Sequence, residues 1–277
     1  MAFSSATMGL ARIAALTLVA STLGLPPPAH AQAPPRNPAL YQATAIVTGT
    51  DMRQRPLGFG LCLTEVLVKL SGRPQLRDNP AVAALASHAD ALVETFAYVD
   101  PRAALLHHDD QGTYDRSYEL TVHFDPAKAD AALATLGVAP WTGPRPVLTP
   151  VILVRNRDPD PFLLSAETPR GAEMRAALVR VASEYGVGVH FPTEAELAAG
   201  GVDVIGYPAP LDPPGPGQMR IRGTLSFSLK AMGWVGTWRA RRDGTEHEWR
   251  ISGVGYDAAF ADLVRGGVEL AAGTGNP

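Results

Sequence analysis

Two histidines and two carboxylates stand together in His107-His108-Asp109-Asp110, the first stretch whose residue types could bind a metal ion. The spacing works against it. Neighbours on an extended chain point to opposite faces, so adjacent imidazoles do not share one ion, and further ligands have to come from elsewhere, such as His123 or Asp115 across a hairpin. A solvated loop tip is the plainer expectation. Oxygen atoms at alternate positions occur again in Asn156-Arg157-Asp158-Pro159-Asp160, with Glu167 where a calcium loop places its bidentate ligand. Pro161 replaces the glycine such a loop needs, and a strand rather than a helix precedes it, so a rigid loop is expected. Gly253-x-Gly255-x-x-Ala258 has the outline of a dinucleotide fingerprint, but the second strand and acidic partner of that motif do not follow. A tight strand-to-helix turn accounts for those glycines. The patterns Gly-x-Ser-x-Gly, Ser-x-x-Lys and His-Glu-x-x-His are absent. No catalytic, cofactor-binding or metal-binding set is assigned from the sequence.

Aromatic and basic residues cluster late in the chain. Trp234, Trp238 and Trp249 fall among Arg239, Arg241, Arg242 and Arg250, and the even spacing of Trp234 and Trp238 puts them on one face of a strand. Trp and Arg dominate interface hot spots, so Trp234, Trp238, Arg239, Arg241 and Trp249 form a candidate interaction surface. The competing reading has the tryptophans filling the core beneath the closing helix and the arginines solvating the other face. The lone cysteine, Cys62, sits in the apolar helical run Leu61 to Val68 with no basic neighbour in sequence, and reads as a small buried hydrophobe.

These residues need elements to hold them. Leu40 to Val47 alternates as a strand, with Tyr41, Ala43, Ala45 and Val47 on one side. A helix from about Arg55 to Leu70 ends at Ser71-Gly72, and Asp78 or Asn79 can cap another with Pro80 at its first position. Val93–Val99 and Tyr114–Phe124 read as strands, and Asp125 caps a short helix. The N-terminal order over 32–138 is thus β-α-α-β-β-α. Residues 139–146, with three prolines in eight residues, are the expected linker. Beyond it, 147–277 reads β-α-β-α-β followed by an antiparallel meander and a closing helix from Tyr256 to Ala272. Val147–Val154 is a strand buried on both faces, Thr193-x-x-Glu196 a capping box, Val202–Ile205 a further strand and Asp243-Gly244 a hairpin turn. The predicted class is α+β.

Arg12, an apolar stretch to about Leu25, Pro26-Pro27-Pro28 and Ala29-His30-Ala31 together read as a secretory signal over residues 1–31, cleaved after Ala31. The apolar stretch is shorter than the roughly 20 residues that span a bilayer. The expected location is therefore the periplasm, with no transmembrane segment in the mature chain. Of the 277 residues 46% are hydrophobic, which excludes a disordered chain, and a net charge of -3 argues against nucleic-acid binding.

Leu40-Tyr41, the Thr64–Gly72 segment with Asp78-Asn79-Pro80 behind it, Arg145-Pro146-Val147, and Trp238 and Trp249 flanking Asp243-Gly244 form a combined pattern. It resembles the bacterial exported family catalogued as domain of unknown function 2066. The resemblance implies an envelope protein with no established activity, cofactor or catalytic residue. Within that pattern Glu65 and Lys69, one helical turn apart, read as an ordinary surface pair. The function expected from the whole is a non-catalytic accessory or binding protein of the cell envelope that engages an envelope protein or polymer. Two alternatives stay open: a hydrolase or other enzyme whose residues, among them His88, His107, His108 or His123, meet only in three dimensions, and a metal-binding periplasmic protein.

Overall fold

The computed structural model describes residues 37–103, 116–157, 160–213 and 215–277. The expected signal segment, the His107-His108-Asp109-Asp110 loop, and Asp158 and Pro159 lie outside the described residues. Asn37 accepts the Ala39 amide and opens a single turn, Pro38–Tyr41, that feeds β1 (Gln42–Thr48). Helix α1 (Arg55–Ser71) ends on Gly72, whose φ of 62° is left-handed. Glycine is required there twice over, because a Cβ would lie 2.7 Å from Ala272 and 2.8 Å from the Trp141 ring. Asn79 caps α2 (Pro80–Ala86) through the Ala81 amide, with Pro80 at its first position. Strands β2 (Val93–Val99) and β3 (Ser117–Phe124) complete an antiparallel sheet in the order β1-β3-β2. Asp125 then caps α3 (Pro126–Thr135). Alternation decides the packing: Ala43, Leu120, Val122 and Phe124 are buried, and they join Leu63, Val66, Leu67 and Leu70 of α1 in one core.

The chain crosses to the second sheet through the Pro-rich stretch, which is itself packed. The Trp141 amide donates to Leu70 O at 2.7 Å, and Arg145 stacks 4.2 Å over the Trp141 ring while donating to Lys69 O and Tyr185 O. Nearby, the Glu65–Lys69 pair departs from its expected place on the surface. Lys69 Nζ lies 2.6 Å from Glu65, donates to Gln42 O at 2.8 Å, and its side chain is only 8% exposed. The C-terminal half closes over this end of α1, so the pair is buried. Burial pushes the Glu65 carboxyl above its ordinary range, against the pull of Lys69.

The second half contributes β4 (Val147–Arg155), β5 (Phe162–Leu163), α4 (Ala172–Glu184), β6 (Gly188–Val189), α5 (Glu194–Ala199), β7 (Gln218–Ser228), β8 (Gly233–Arg242), β9 (Thr245–Val254) and α6 (Tyr256–Ala272). The sheet runs β5-β4-β7-β8-β9, with β6 also pairing β4. Strand β4 is parallel to β7 and β6, and the other pairs are antiparallel. The capping box of α5 forms as read, with Thr193 and Glu196 bonded reciprocally. Asp243 and Gly244, both at positive φ, make the β8–β9 turn. The strand expected at Val202–Ile205 does not form. Asp203 Oδ1 accepts the amides of Ile205 and Gly206 instead, and this local bonding turns the backbone away from any ladder.

Helix α6 lies across one face of this sheet, here called the inner face, beside α4. That face carries Ile221, Gly223 and Leu225 of β7, Gly236, Trp238 and Ala240 of β8, and Trp249 of β9. Buried residues of both sheets belong to one continuous core, and residues 37–277 form one compact unit of α+β class.

Two outcomes follow. Trp238 sits directly opposite Gly223, where a Cβ would come within 2.2 Å of the indole and 2.7 Å of Thr237 O. Gly223→Ala therefore lowers stability by about 1–3 kcal/mol in denaturant unfolding, and an unchanged midpoint contradicts this packing. Cys62, 1% exposed, has its thiol pushed up to about 12, first by burial and then by Glu65. A maleimide reagent at neutral pH leaves it unmodified in the folded chain and labels it only after denaturation.

Candidate functional site

Strand alternation sends the residues between the core positions to the opposite, outer face of the six-stranded sheet. On β7 these are Arg220, Arg222, Thr224 and Ser226, on β8 Val235, Thr237, Arg239 and Arg241, and on β9 Glu246, Glu248, Arg250 and Ser252. Half of this face is covered. Helix α5 and the loop after it pack Leu197, Val202 and Ala209 against Val151 of β4, with Tyr207 and Leu163 alongside. The Tyr207 hydroxyl donates to Gly223 O at 2.6 Å, and burial pushes it up to about 12. Cavities lie on either side of α5, the larger of about 570 Å³ and lined by Phe162, Leu163, Thr168, Leu197, Val202 and Asp203.

The half over β8 and β9 is open, and there the arginines form a row. Arg222 and Arg239 are directly opposite each other, and Arg239 is opposite Glu248. Arg239 contacts Glu248 at 2.5 Å and Glu246 at 3.7 Å. Arg222 donates to Ala209 O at 2.7 Å and reaches Glu246 at 3.5 Å, while Arg241 pairs with Asp212 at 2.7 Å. Arg250 is exposed opposite Thr237. The acidic members are well exposed, so these ion pairs are solvent-screened and exchangeable.

The sequence-read surface thus divides between the two faces. Trp238 is fully buried and Trp249 is buried with its Nε1 donating to Asp262 O at 3.2 Å. Trp234 is half-buried in edge-to-face contact with Phe227 and Tyr256. All three rings therefore serve the core side, and Arg239 and Arg241 are what the outer face presents. Of the other candidates, His123 is exposed on the outer side of the first sheet, and His88 is exposed just before the turn Ala89–Leu92. Glu167 accepts the Glu194 amide at 3.0 Å, and Gly255 is the N-cap of α6. Among the described residues no group of three or more His, Cys, Asp or Glu side chains is placed to hold a metal ion. The sequence reading missed Arg220, Arg222, His190 and Asp212. For the two arginines the alternation of β7 with Met219 and Ile221 is a usable signal; for His190 and Asp212 there is none, because irregular chain delivers them.

Comparison with known proteins bears on the first half only. Residues 37–142 match a domain of unknown function (DUF8605). This is a different family from domain of unknown function 2066, so that resemblance is corrected. No curated protein and no solved structure matches the chain. Among the described residues no helix is long and apolar enough to cross a membrane.

The split between faces predicts opposite outcomes for neighbouring substitutions. Trp238→Ala costs about 3–5 kcal/mol of stability, whereas Arg241→Ala costs under about 1 kcal/mol. Thermal or denaturant unfolding of the two variants checks this, and equal losses contradict the assignment of faces.

Proposed function

We propose that this chain is an exported, non-catalytic binding protein of the cell envelope whose open sheet face engages an acidic partner protein. One observation carries the reading: the alternation of β8 and β9 gathers Arg239, Arg241 and Arg250 on one uncovered face, with Arg222 of β7 at the edge of the cover. Guanidinium groups bind carboxylates in a bidentate fork and lose little hydration on pairing, which suits them to interfaces. Their present partners, Asp212, Glu246 and Glu248, are exposed carboxylates that a partner's own acidic groups can replace. Thr224, Thr237 and Val235 lie between the charges on the same face. Export rests on the signal-like run from Arg12 to Ala31.

Two measurements test the reading. A tagged chain purified from the envelope fraction begins at Gln32 by N-terminal sequencing; a purified chain that retains residues 1–31 removes the case for export. The wild-type chain retains its partner at low ionic strength and releases it as salt is raised, while Arg239→Glu combined with Arg241→Glu retains none. Equal recovery by the doubly reversed chain, with folding intact, rules out this face.

A further inference from the structure

Under α5, away from the open half of the outer face, lies a second cavity of about 270 Å³. Thr149 and Val151 of β4 and Arg220 of β7 line one side; Leu197, Val202 and Ala209 line the other. His190 and Glu196 close the rim, with Nε2 and Oε1 3.4 Å apart. Four arginines of β7 and β8 point to this face of the sheet, and three have acceptors: Arg222 on Ala209 O and Glu246, Arg239 on Glu246 and Glu248, Arg241 on Asp212. Arg220 has none. Its Nε is buried without a hydrogen-bond partner, and its side chain makes no ion pair among the described residues.

A guanidinium nitrogen removed from water with no acceptor costs free energy unless something else supplies one. The neighbouring hydroxyl is similarly free to serve, since the one contact of Thr149 Oγ1 is to Gln218 Oε1 at 3.5 Å, the outer limit of bonding. We propose that this cavity binds a small monocarboxylate, held by Arg220 and the Thr149 hydroxyl, with a short apolar tail against Leu197, Val202 and Ala209. One part-buried cation facing apolar walls selects a single negative charge with a hydrocarbon part. Glu196 at the rim disfavours a dianion. The volume falls below the roughly 300–1,000 Å³ of sites for drug-sized ligands, so the tail is a few carbons long. This site stands independently of the partner-binding face, because Arg220 lies beneath the cover and Arg239 and Arg241 lie outside it.

The test is calorimetric titration of the purified chain with acetate, butyrate, hexanoate and inorganic phosphate. Saturable binding at one site per chain is expected for butyrate, weaker for acetate and for phosphate. Arg220→Met weakens butyrate binding by about tenfold or more, as loss of a charge-assisted contact implies, while Val179→Ala on the exposed side of α4 leaves it unchanged. Arg220→Met also unfolds at the same or a higher denaturant concentration than the wild type, because it removes a buried Nε–H that has no hydrogen-bond partner. The proposal is overturned if no carboxylate binds saturably, if phosphate binds more tightly than butyrate, or if Arg220→Met binds as well as the wild type. It is likewise overturned if Arg220→Met fails to fold, which makes the guanidinium a structural group.

Discussion

The indole of Trp238 fixes which residues of the meander meet solvent. It lies between Gly223 on β7 and Trp249 on β9, over Gly236 two positions earlier on its own strand, and any Cβ at either glycine would meet the ring. Because side chains alternate with period two, anchoring this ring inside leaves Arg239 and Arg241 no place but the outer face. A slip of one residue would bury two guanidinium groups and expose the ring, and the cost of that exchange locks the register. The proposed binding face therefore depends on a residue that is itself fully buried. Gly266 of α6 completes the arrangement, leaving room for Trp249 where a Cβ would come within 2.5 Å of the indole.

The same closing helix ties the two halves together. Glu269 of α6 is buried and accepts from Gln75 at 2.8 Å, while Arg265 reaches both Glu269 and Asp262. Thr274 donates to Gly72 O, and the Pro-rich stretch brings Trp141 and Arg145 onto the end of α1. Charges buried together in this way are costly to separate one at a time, since each removal strands its partner. They make the contact between the halves specific more than strong. The buried Glu65–Lys69 pair, within α1 and bonded to Gln42 O of β1, carries the same cost inside the first half.

Local signals made most of the architecture legible. Asn79-Pro80, Asp125, Thr193–Glu196, Gly72 and Asp243-Gly244 each specify a boundary through bonding within a few residues, and each formed where it was read. The failures share a cause. Val202–Ile205 has strand-like composition, but Asp203 captures two nearby amides. Glu65 and Lys69 are buried by residues more than a hundred positions away. In the meander, by contrast, strand alternation alone separates Trp238 from Arg239 and Arg241, and it favours the reading with the rings beneath the closing helix and the arginines on the other face. Pairing of Arg241 with Asp212, and the delivery of His190 and Glu196 to the rim of a cavity floored by Arg220, depends on irregular chain that no periodicity describes.

A sheet that turns its tryptophans toward the core and displays paired arginines on its other face is suited to reversible, charge-steered association rather than to a permanent apolar interface. The central claim is a matter of place: the partner sits on the outer face of β8 and β9. Photo-crosslinking in living cells from a benzophenone side chain at Thr237, on that face, and at Val179, half exposed on α4 in the opposite layer, tests it most directly. The account predicts a single trapped species from Thr237 and none from Val179. Trapping from Val179 with none from Thr237 would contradict it.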